Sequence, residues 1–560
     1  MRVMNKVASA SPQVSAASLE EPLYYLYNID TVIAWVRHHY DDIFSLEEQH
    51  LLDTIQQLDT ACRATLCRLI MRRGEWFRDD KLSYAEIGAI HAPLQTLAEH
   101  DLIHYPAACR LTELITQCRV AELQQLWAIH GEGTAPKGKD ALLLQLSALD
   151  DGIPRPLNEW WPNAPFKLIS LRCQDIFELL KMLFFGNAQQ DWSEFVLTEL
   201  GHQRYEQVDL DDQHRAFANR AELDAFSTIS GLGEAHYLNL LSPDQVLEYL
   251  PDEHEQPWLE YRRQKLLYRA AHAIERQGRS EEALALYRRC RYREAKIRQL
   301  RLMEKIRPSA VVARYAGWLN QRAARADWRE AAEKVWHRSA RKAGQNLAKR
   351  QRYSPQLQHI SLDKPNYSVE RASREHFHSE EQPCYYVENA LLPGLFALTF
   401  WEAFYAPVPG AFFNPFQRRP ADLYQEDFSA QRSEIIAAAW HSMQQPDYSQ
   451  RILARYREKA GIANPFAIWG LLNESLLEQA LQCIPVEHLT AVFERMFSDL
   501  RQHSSGFPDL IQFDLAAGTY QLIEIKGPGD RLQDHQLRWL AYFEQHGIPA
   551  VVCNVSWRQA

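Results

Sequence analysis

Near the C-terminus, Asp509, Glu524 and Lys526 stand at a spacing that suits hydrolysis of a phosphodiester with the help of a divalent cation. The stretches around Ala516-Ala517-Gly518 alternate and are rich in β-branched and aromatic residues, which predicts strands over 509–515 and 519–526. Gly518 supplies the positive φ of a tight hairpin. With the turn centred between Ala516 and Ala517, Asp509 faces Glu524, the Cβ atoms about 5 Å apart on one face of the sheet. Lys526 lies two residues beyond Glu524, so it returns to that face. Carboxylates of this kind hold hard cations such as Mg²⁺ or Mn²⁺. Such an ion polarises the phosphodiester and acidifies the attacking water. The ammonium orients that water or stabilises the charge that develops. A plain cross-strand salt bridge is the commoner meaning of an Asp/Glu/Lys cluster. Pro-Asp followed by Glu-x-Lys at hairpin spacing is narrower, and the trio is expected to lie exposed where metal and phosphate approach.

The next elements must support that hairpin. Gly527-Pro528-Gly529 ends the second strand, and Asp530 with Gln533 reads as a capping pair for a helix running to about Gln545. Leu532, Gln536, Trp539, Leu540 and Phe543 share one face of it. Gln536 is the polar exception in that stripe. It is either a satisfied core amide or a group that steadies the metal ligands from behind. Gly547 closes the helix, and Ile548–Val555 supplies another buried strand.

Gly506-Phe-Pro-Asp-Leu510, the run from Glu524 to Leu532 and Gln536-x-x-Trp-Leu540 resemble the VRR-NUC module of the PD-(D/E)xK nucleases. The likeness is greatest to the Fanconi-associated nuclease family, whose members carry a conjoined N-terminal half. Tyr367-Ser-Val-Glu370 and the run from Leu395 to Glu402 resemble that family's nuclease-domain opening. The resemblance is specific over the last 50 residues or so and patchy elsewhere. It implies a catalytic set of Glu388, Asp509, Glu524 and Lys526. The implied ligands for one or two Mg²⁺ or Mn²⁺ ions are Glu388, Asp509, Glu524 and Ile525, with Gln536 behind them. Glu388 is placed by the family's spacing, seven residues before Leu395. This chain departs from the pattern there, with Val387-Glu388-Asn389 where the family often has Gly-Glu-Gly; Glu370 and Glu402 are the competing acids. The implied activity is 5′ flap endonuclease and 5′→3′ exonuclease action in interstrand-crosslink repair. Its substrate would be branched DNA: a 5′ flap, a crosslink or a gapped duplex. The residues alone support metal-dependent phosphodiester hydrolysis beside a basic helical scaffold. A Holliday-junction-resolving or restriction-type nuclease and a non-catalytic DNA-binding scaffold are the alternatives. The first needs a dimer, whereas a monomer is expected here, and the intact trio counts against the second.

The chain of 560 residues is long enough for several domains, and 46% apolar and 11% aromatic content marks a folded protein. The expected fold is multidomain, with mainly α-helical N-terminal and middle regions and a C-terminal α/β PD-(D/E)xK domain. The divisions are a flexible tail (1–20), an N-terminal helical DNA-binding domain (21–110), a SAP-like pair of helices (111–150), a helical connector (151–250), a basic array resembling tetratricopeptide repeats (251–355) and the nuclease domain (356–560). Nine scattered cysteines without a C-x-x-C pair suggest neither zinc nor disulfides and fit a reducing compartment. The first twenty residues lack the apolar core of a signal peptide, and Leu391–Phe400 is too short to span a bilayer. A cytoplasmic protein without membrane contact is expected, nucleoid-associated if bacterial.

Net charge is −10, yet residues 261–352 hold 26 Lys/Arg against 8 Asp/Glu, leaving 36 against 64 elsewhere. Such asymmetry points to a basic surface that follows a phosphate backbone, although basic helices are often just solvated. Arg288, Arg289, Arg291 and Arg293 are the candidates there, for phosphate contact or for bracing the nuclease domain. Lys137 and Lys139 flank the start of a second SAP-like helix, where amides and ammonium groups both suit phosphate. Arg72, Arg73, Trp76 and Arg78 border DNA in the N-terminal reading, although aromatics at this spacing more often pack in a core.

Overall fold

Amphipathic helices make up most of the chain, each laying its apolar stripe on a neighbour. The computed structural model describes residues 18, 20–72, 74–186, 190–192, 195, 204–208, 210, 214–323, 325–346 and 353–558. The expected tail at 1–20 therefore lies almost wholly outside the described residues. The chain divides into two units, one of residues 1–204, 210–212 and 413–416, the other of 205–209, 213–412 and 417–560.

In the first unit, helix Tyr24–Tyr40 buries Leu26, Ile29, Val32, Ile33 and Val36 along one face. Helices Val120–His130 and Lys139–Ser147 share a core that includes Leu123, Leu126, Leu142 and Leu146, so the expected pair is present. The patterning missed a small antiparallel sheet in the regions read as helical. It comprises β1 (Trp76–Arg78), β2 (Ile103–His104) and β3 (Leu168–Leu171), in the order β1-β3-β2. Strands of two to four residues are too short to display a period of two.

In the second unit, five successive helices run Pro257–Arg276, Ser280–Arg289, Arg293–Ile306, Ser309–Arg322 and Ala326–Lys342. Ala271, Ala283, Tyr287, Leu300 and Met303 meet in their common core, the small and aromatic residues packing as a helical array requires. Beyond them lies a five-stranded mixed sheet of β4 (Leu357–Leu362), β5 (Cys384–Tyr386), β6 (Leu510–Asp514), β7 (Thr519–Lys526) and β8 (Ala550–Trp557). Its order is β4-β8-β7-β6-β5. Both neighbours of β8 run parallel to it, whereas β6 runs antiparallel to both of its neighbours, β5 and β7. The apolar run at 391–400 forms the wholly buried helix Leu391–Thr399.

The hairpin has the expected register, from Leu510 opposite Ile523 to Asp514 opposite Thr519. Its first strand stops one residue early because Asp514 turns inward, Oδ1 accepting from the Ala517 amide at 2.9 Å, while Gly518 takes φ +62°. The following helix, Asp534–Gln545, starts later than expected, because Asp530 does not cap it. The Asp530 carboxylate folds back to accept from the Gly527 amide at 3.0 Å and closes the turn after β7. The first turn is capped by Gln536, whose Oε1 accepts from the Gln533 amide at 3.0 Å. All nine cysteines are free and buried. Among the described residues no helix is long and apolar enough to cross a membrane.

Candidate active site

One further step along the register places Asp509 opposite Glu524, beside the last residues of β5. The Asp509 carbonyl accepts from the Val387 amide at 2.8 Å, which continues the β5–β6 pairing. Its Oδ2 accepts from the Ile525 amide at 2.7 Å. Glu524 Oε1 receives the Lys526 ammonium and the Gln536 side-chain amide, both at 2.6 Å. Gln536 thus serves two ends at once, capping its own helix through Oε1 and holding Glu524 through Nε2. The expected exposure of the trio is corrected: Asp509 is 8% and Glu524 1% exposed. Glu524 sits on β7, an interior strand flanked by β6 and β8. The Lys526 side chain, at the strand end, is 13% exposed.

Glu388 occupies the turn after β5. The Tyr386 hydroxyl donates to its Oε2 at 2.5 Å, and the Asn389 amide to its Oε1 at 3.3 Å. Burial pushes the acid pKa of both Asp509 and Glu524 well above the usual carboxylate range. Glu388 adds repulsion on both, Asp509 on Glu524, and Glu370 on Asp509. Burial and the Glu388 carboxylate likewise lift the Tyr386 phenol, which keeps it a donor. Glu402 is excluded as a member, since it pairs with Arg455 elsewhere on the surface. Glu370, in the first turn of helix Val369–Phe377, is close enough to act on Asp509.

This arrangement fits a hard divalent cation. Three or four acids converge with one ammonium among them, so the buried carboxylates must keep protons or gain a cation. As the side chains stand, among the described residues no three such ligands are gathered at coordination distance. Glu388 is drawn to Tyr386 and Glu524 to Lys526 instead, so a cation shared by these acids would need their side chains to turn toward it. Ile525 has only its main-chain carbonyl to contribute.

The nucleic-acid candidates are dispersed. Arg72 is exposed with its guanidinium 5.6 Å from the Tyr84 ring, whereas Arg73 lies outside the described residues. Arg78 is corrected to a structural role: it is 3% exposed and paired with Asp80 and Glu122. Trp76 packs against the neighbouring apolar core. Lys137 and Lys139 are exposed at the start of helix Lys139–Ser147. Arg288 and Arg289 are exposed, while Arg291 reaches Glu253 at 2.6 Å and is partly neutralised. Arg293 is buried and pairs at 3.2 Å with Asp327 of helix Ala326–Lys342 and with Asp499, so it is spent on carboxylates.

Two residues of the site escaped sequence reasoning. Tyr386 carried no signal, because an aromatic in a strand is ordinarily core. Asn389 carried one, in its departure from Gly-Glu-Gly. It takes φ +50°, the left-handed conformation that glycine adopts freely and asparagine tolerates.

Comparison with known proteins bears on the same regions. Residues 443–557 match the VRR-NUC domain, and residues 23–104 match the FAN1 HTH domain. The chain is 38% identical over 564 residues to a Fanconi-associated nuclease 1 homolog of Pseudomonas aeruginosa, covering 99% of each chain. It is 22% identical to a homolog of the same name from Arabidopsis thaliana, over 95% of this chain and 67% of that one. Among solved structures it is similar to paFAN1 bound to 2nt 5′flap DNA with gap, with a TM-score of 0.86 and 37% identity. That match covers 97% of this chain and all of the other. A second structure of paFAN1, bound to 1nt 5′flap DNA with gap, matches with a TM-score of 0.83 over 96% of this chain. Matched end to end, and carrying the buried acid–lysine hairpin of a divalent-metal-dependent nuclease, the chain belongs to the Fanconi-associated nuclease family.

Proposed function

We propose that this nuclease is structure-selective for branched DNA, cutting 5′ flaps as an endonuclease and degrading duplex as a 5′→3′ exonuclease in interstrand-crosslink repair. The observation that carries the chemistry is the buried facing pair Asp509 and Glu524, with Lys526 bound to Glu524. The printed descriptions of the paFAN1 structures supply the flap. Asp509, Glu524 and Glu388, with the Ile525 carbonyl, would hold Mg²⁺ or Mn²⁺, with the Glu370 charge nearby. When bound, the cation draws charge off the scissile phosphate and acidifies the attacking water. Gln536 fixes the rotamer of Glu524, and the Ile525 amide fixes that of Asp509. Lys526 sets a positive charge beside the developing oxyanion. The helical modules at 21–110 and 111–150, through Arg72, Arg73, Lys137 and Lys139, and the basic array at 251–355, through Arg288 and Arg289, grip phosphates. The enzyme works as a cytoplasmic monomer.

The test digests end-labelled 5′-flap, 3′-flap, four-way and single-stranded DNA side by side with Mg²⁺, Mn²⁺ or EDTA. Preferred incision of the 5′ flap, absent in EDTA, is the expected result. Equal cutting of all four substrates defeats the structure selectivity, and cutting in EDTA defeats the metal site.

A further inference from the structure

Beside their main-chain pairing, the two acidic segments of the site are tied by a side chain, and we propose that Asn389 is a positioning residue that sets Asp509 against Glu388. This rests on the reading of those acids as metal ligands. Asn389 Oδ1 accepts from two successive amides, Gly506 at 2.8 Å and Phe507 at 3.2 Å. Its Nδ2 donates to Glu388 Oε1 at 3.3 Å. With Oδ1 committed to two N–H donors, the orientation of the amide is fixed by its surroundings. The positive φ at Asn389 lets so short a side chain reach both its own neighbour Glu388 and a segment more than a hundred residues away.

The segment it grips runs straight into Asp509 and is held on its other flank by helix Asp534–Gln545. The Trp539 indole donates to the Ser505 carbonyl at 3.1 Å, and the Phe507 ring lies 4.3 Å from that of Trp539. Gly506 has φ +93°, and a Cβ there would stand 2.4 Å from a ring carbon of His535, so the backbone passes directly against the helix. That helix also carries Gln536, which holds Glu524. Asp509 and Glu524 are therefore both aligned to one helix. Asn389 is the side chain that brings the Glu388 turn into the same frame. Loss of its acceptor leaves two amides of the 505–509 segment to find water, and Asp509 keeps only its main-chain bond to Val387 to hold it against the Glu388 turn. A group that orients ligands in this way typically governs metal affinity and turnover by about 10–100-fold.

The experiment compares the parent with Asn389→Gly, which keeps the left-handed backbone and removes the clip, and Asn389→Asp, which keeps both acceptor contacts but sets a repelling carboxylate oxygen in place of the donor against Glu388. Mn²⁺ binding is measured by calorimetry on DNA-free protein, kcat and KM on a 5′ flap, and the melting temperature in EDTA. Asn389→Gly should weaken Mn²⁺ binding and lower kcat by about tenfold or more, with KM for DNA held. Asn389→Asp should restore the melting temperature, because the Gly506 and Phe507 amides keep their acceptor, and recover Mn²⁺ binding and kcat in part. Parental Mn²⁺ affinity and kcat in Asn389→Gly overturn the proposal. Where the glycine variant melts early, an Asn389→Asp that keeps the parental melting temperature yet regains neither Mn²⁺ affinity nor kcat overturns it as well. Glu524→Gln separates the two levels. If it binds Mn²⁺ as the parent does, the metal site itself is misread; if it loses the ion while Asn389→Gly keeps it, the positioning role alone falls.

Discussion

Two clusters of buried charge in the second unit have opposite designs. Asp422 and Arg432 form a closed pair, with guanidinium–carboxylate contacts of 2.6 and 3.0 Å and side chains 4% and 0% exposed. The guanidinium also stacks over the Phe428 ring at 4.2 Å. Burial raises the Asp422 pKa, and the Arg432 charge opposes it, so the pair neutralises itself. At the hairpin, Asp509 and Glu524 face each other with Glu388 and Glu370 nearby and the Lys526 ammonium acting on both. That cluster is left negative. A buried charge group that balances itself holds a fold, whereas one that does not is waiting for a counter-ion.

Breaking the hairpin cluster should have the largest effect on function. Asp509→Ala and Lys526→Ala should each lower flap cleavage by at least about a hundredfold while flap binding and melting temperature are nearly kept; parental-rate cleavage by Asp509→Ala would remove the assignment. Breaking the closed pair should do the reverse. Arg432→Ala leaves Asp422 buried without a partner and should cost about 3–5 kcal/mol in denaturant unfolding, and replacing both by apolar residues should cost far less. If the single and double replacements cost the same, the pair is not the self-contained unit described. Between the acids, Glu388→Gln should weaken Mn²⁺ binding and activity about tenfold. A crippling Glu370→Gln beside a mild Glu388→Gln would transfer the ligand role to helix Val369–Phe377.

The smallest effect sharpens the contrast in charge. The folded pKa values of Asp509 and Glu524 are raised, so the folded protein keeps protons that the unfolded chain has already released. Stability without metal therefore falls as pH climbs from the ordinary carboxylate range through the raised values. Asp509→Asn should be more stable than the parent in EDTA at pH 8, on the order of 1 kcal/mol, with the advantage shrinking at pH 5. A parent that is the more stable of the two at pH 8 would mean the cluster is already neutralised.

The hairpin was legible in the sequence because its determinants are local. Alternation, the turn glycine and a side-chain period of two set the register that puts Asp509 opposite Glu524, and the structure has that register. Gln536 was legible as a polar break in an apolar stripe, and its bond to Glu524 gives that break its reason. The basic stretch was visible as charge, but not which cations are already spent on carboxylates, as Arg291 is on Glu253. The burial of the acids was misjudged, because it depends on what packs over the hairpin, such as helix Asp534–Gln545 with Gln536 on Glu524, and spacing along the chain does not encode that packing. Arg78 looked like a surface cation until Glu122, more than forty residues on, was found to meet it. Local backbone geometry and side-chain period are properties of neighbouring residues, so the sequence alone determined the hairpin, its register and the type of chemistry. Burial, charge balance and the clip from Asn389 to Gly506 arise from contacts between distant segments, and those only the tertiary structure decided.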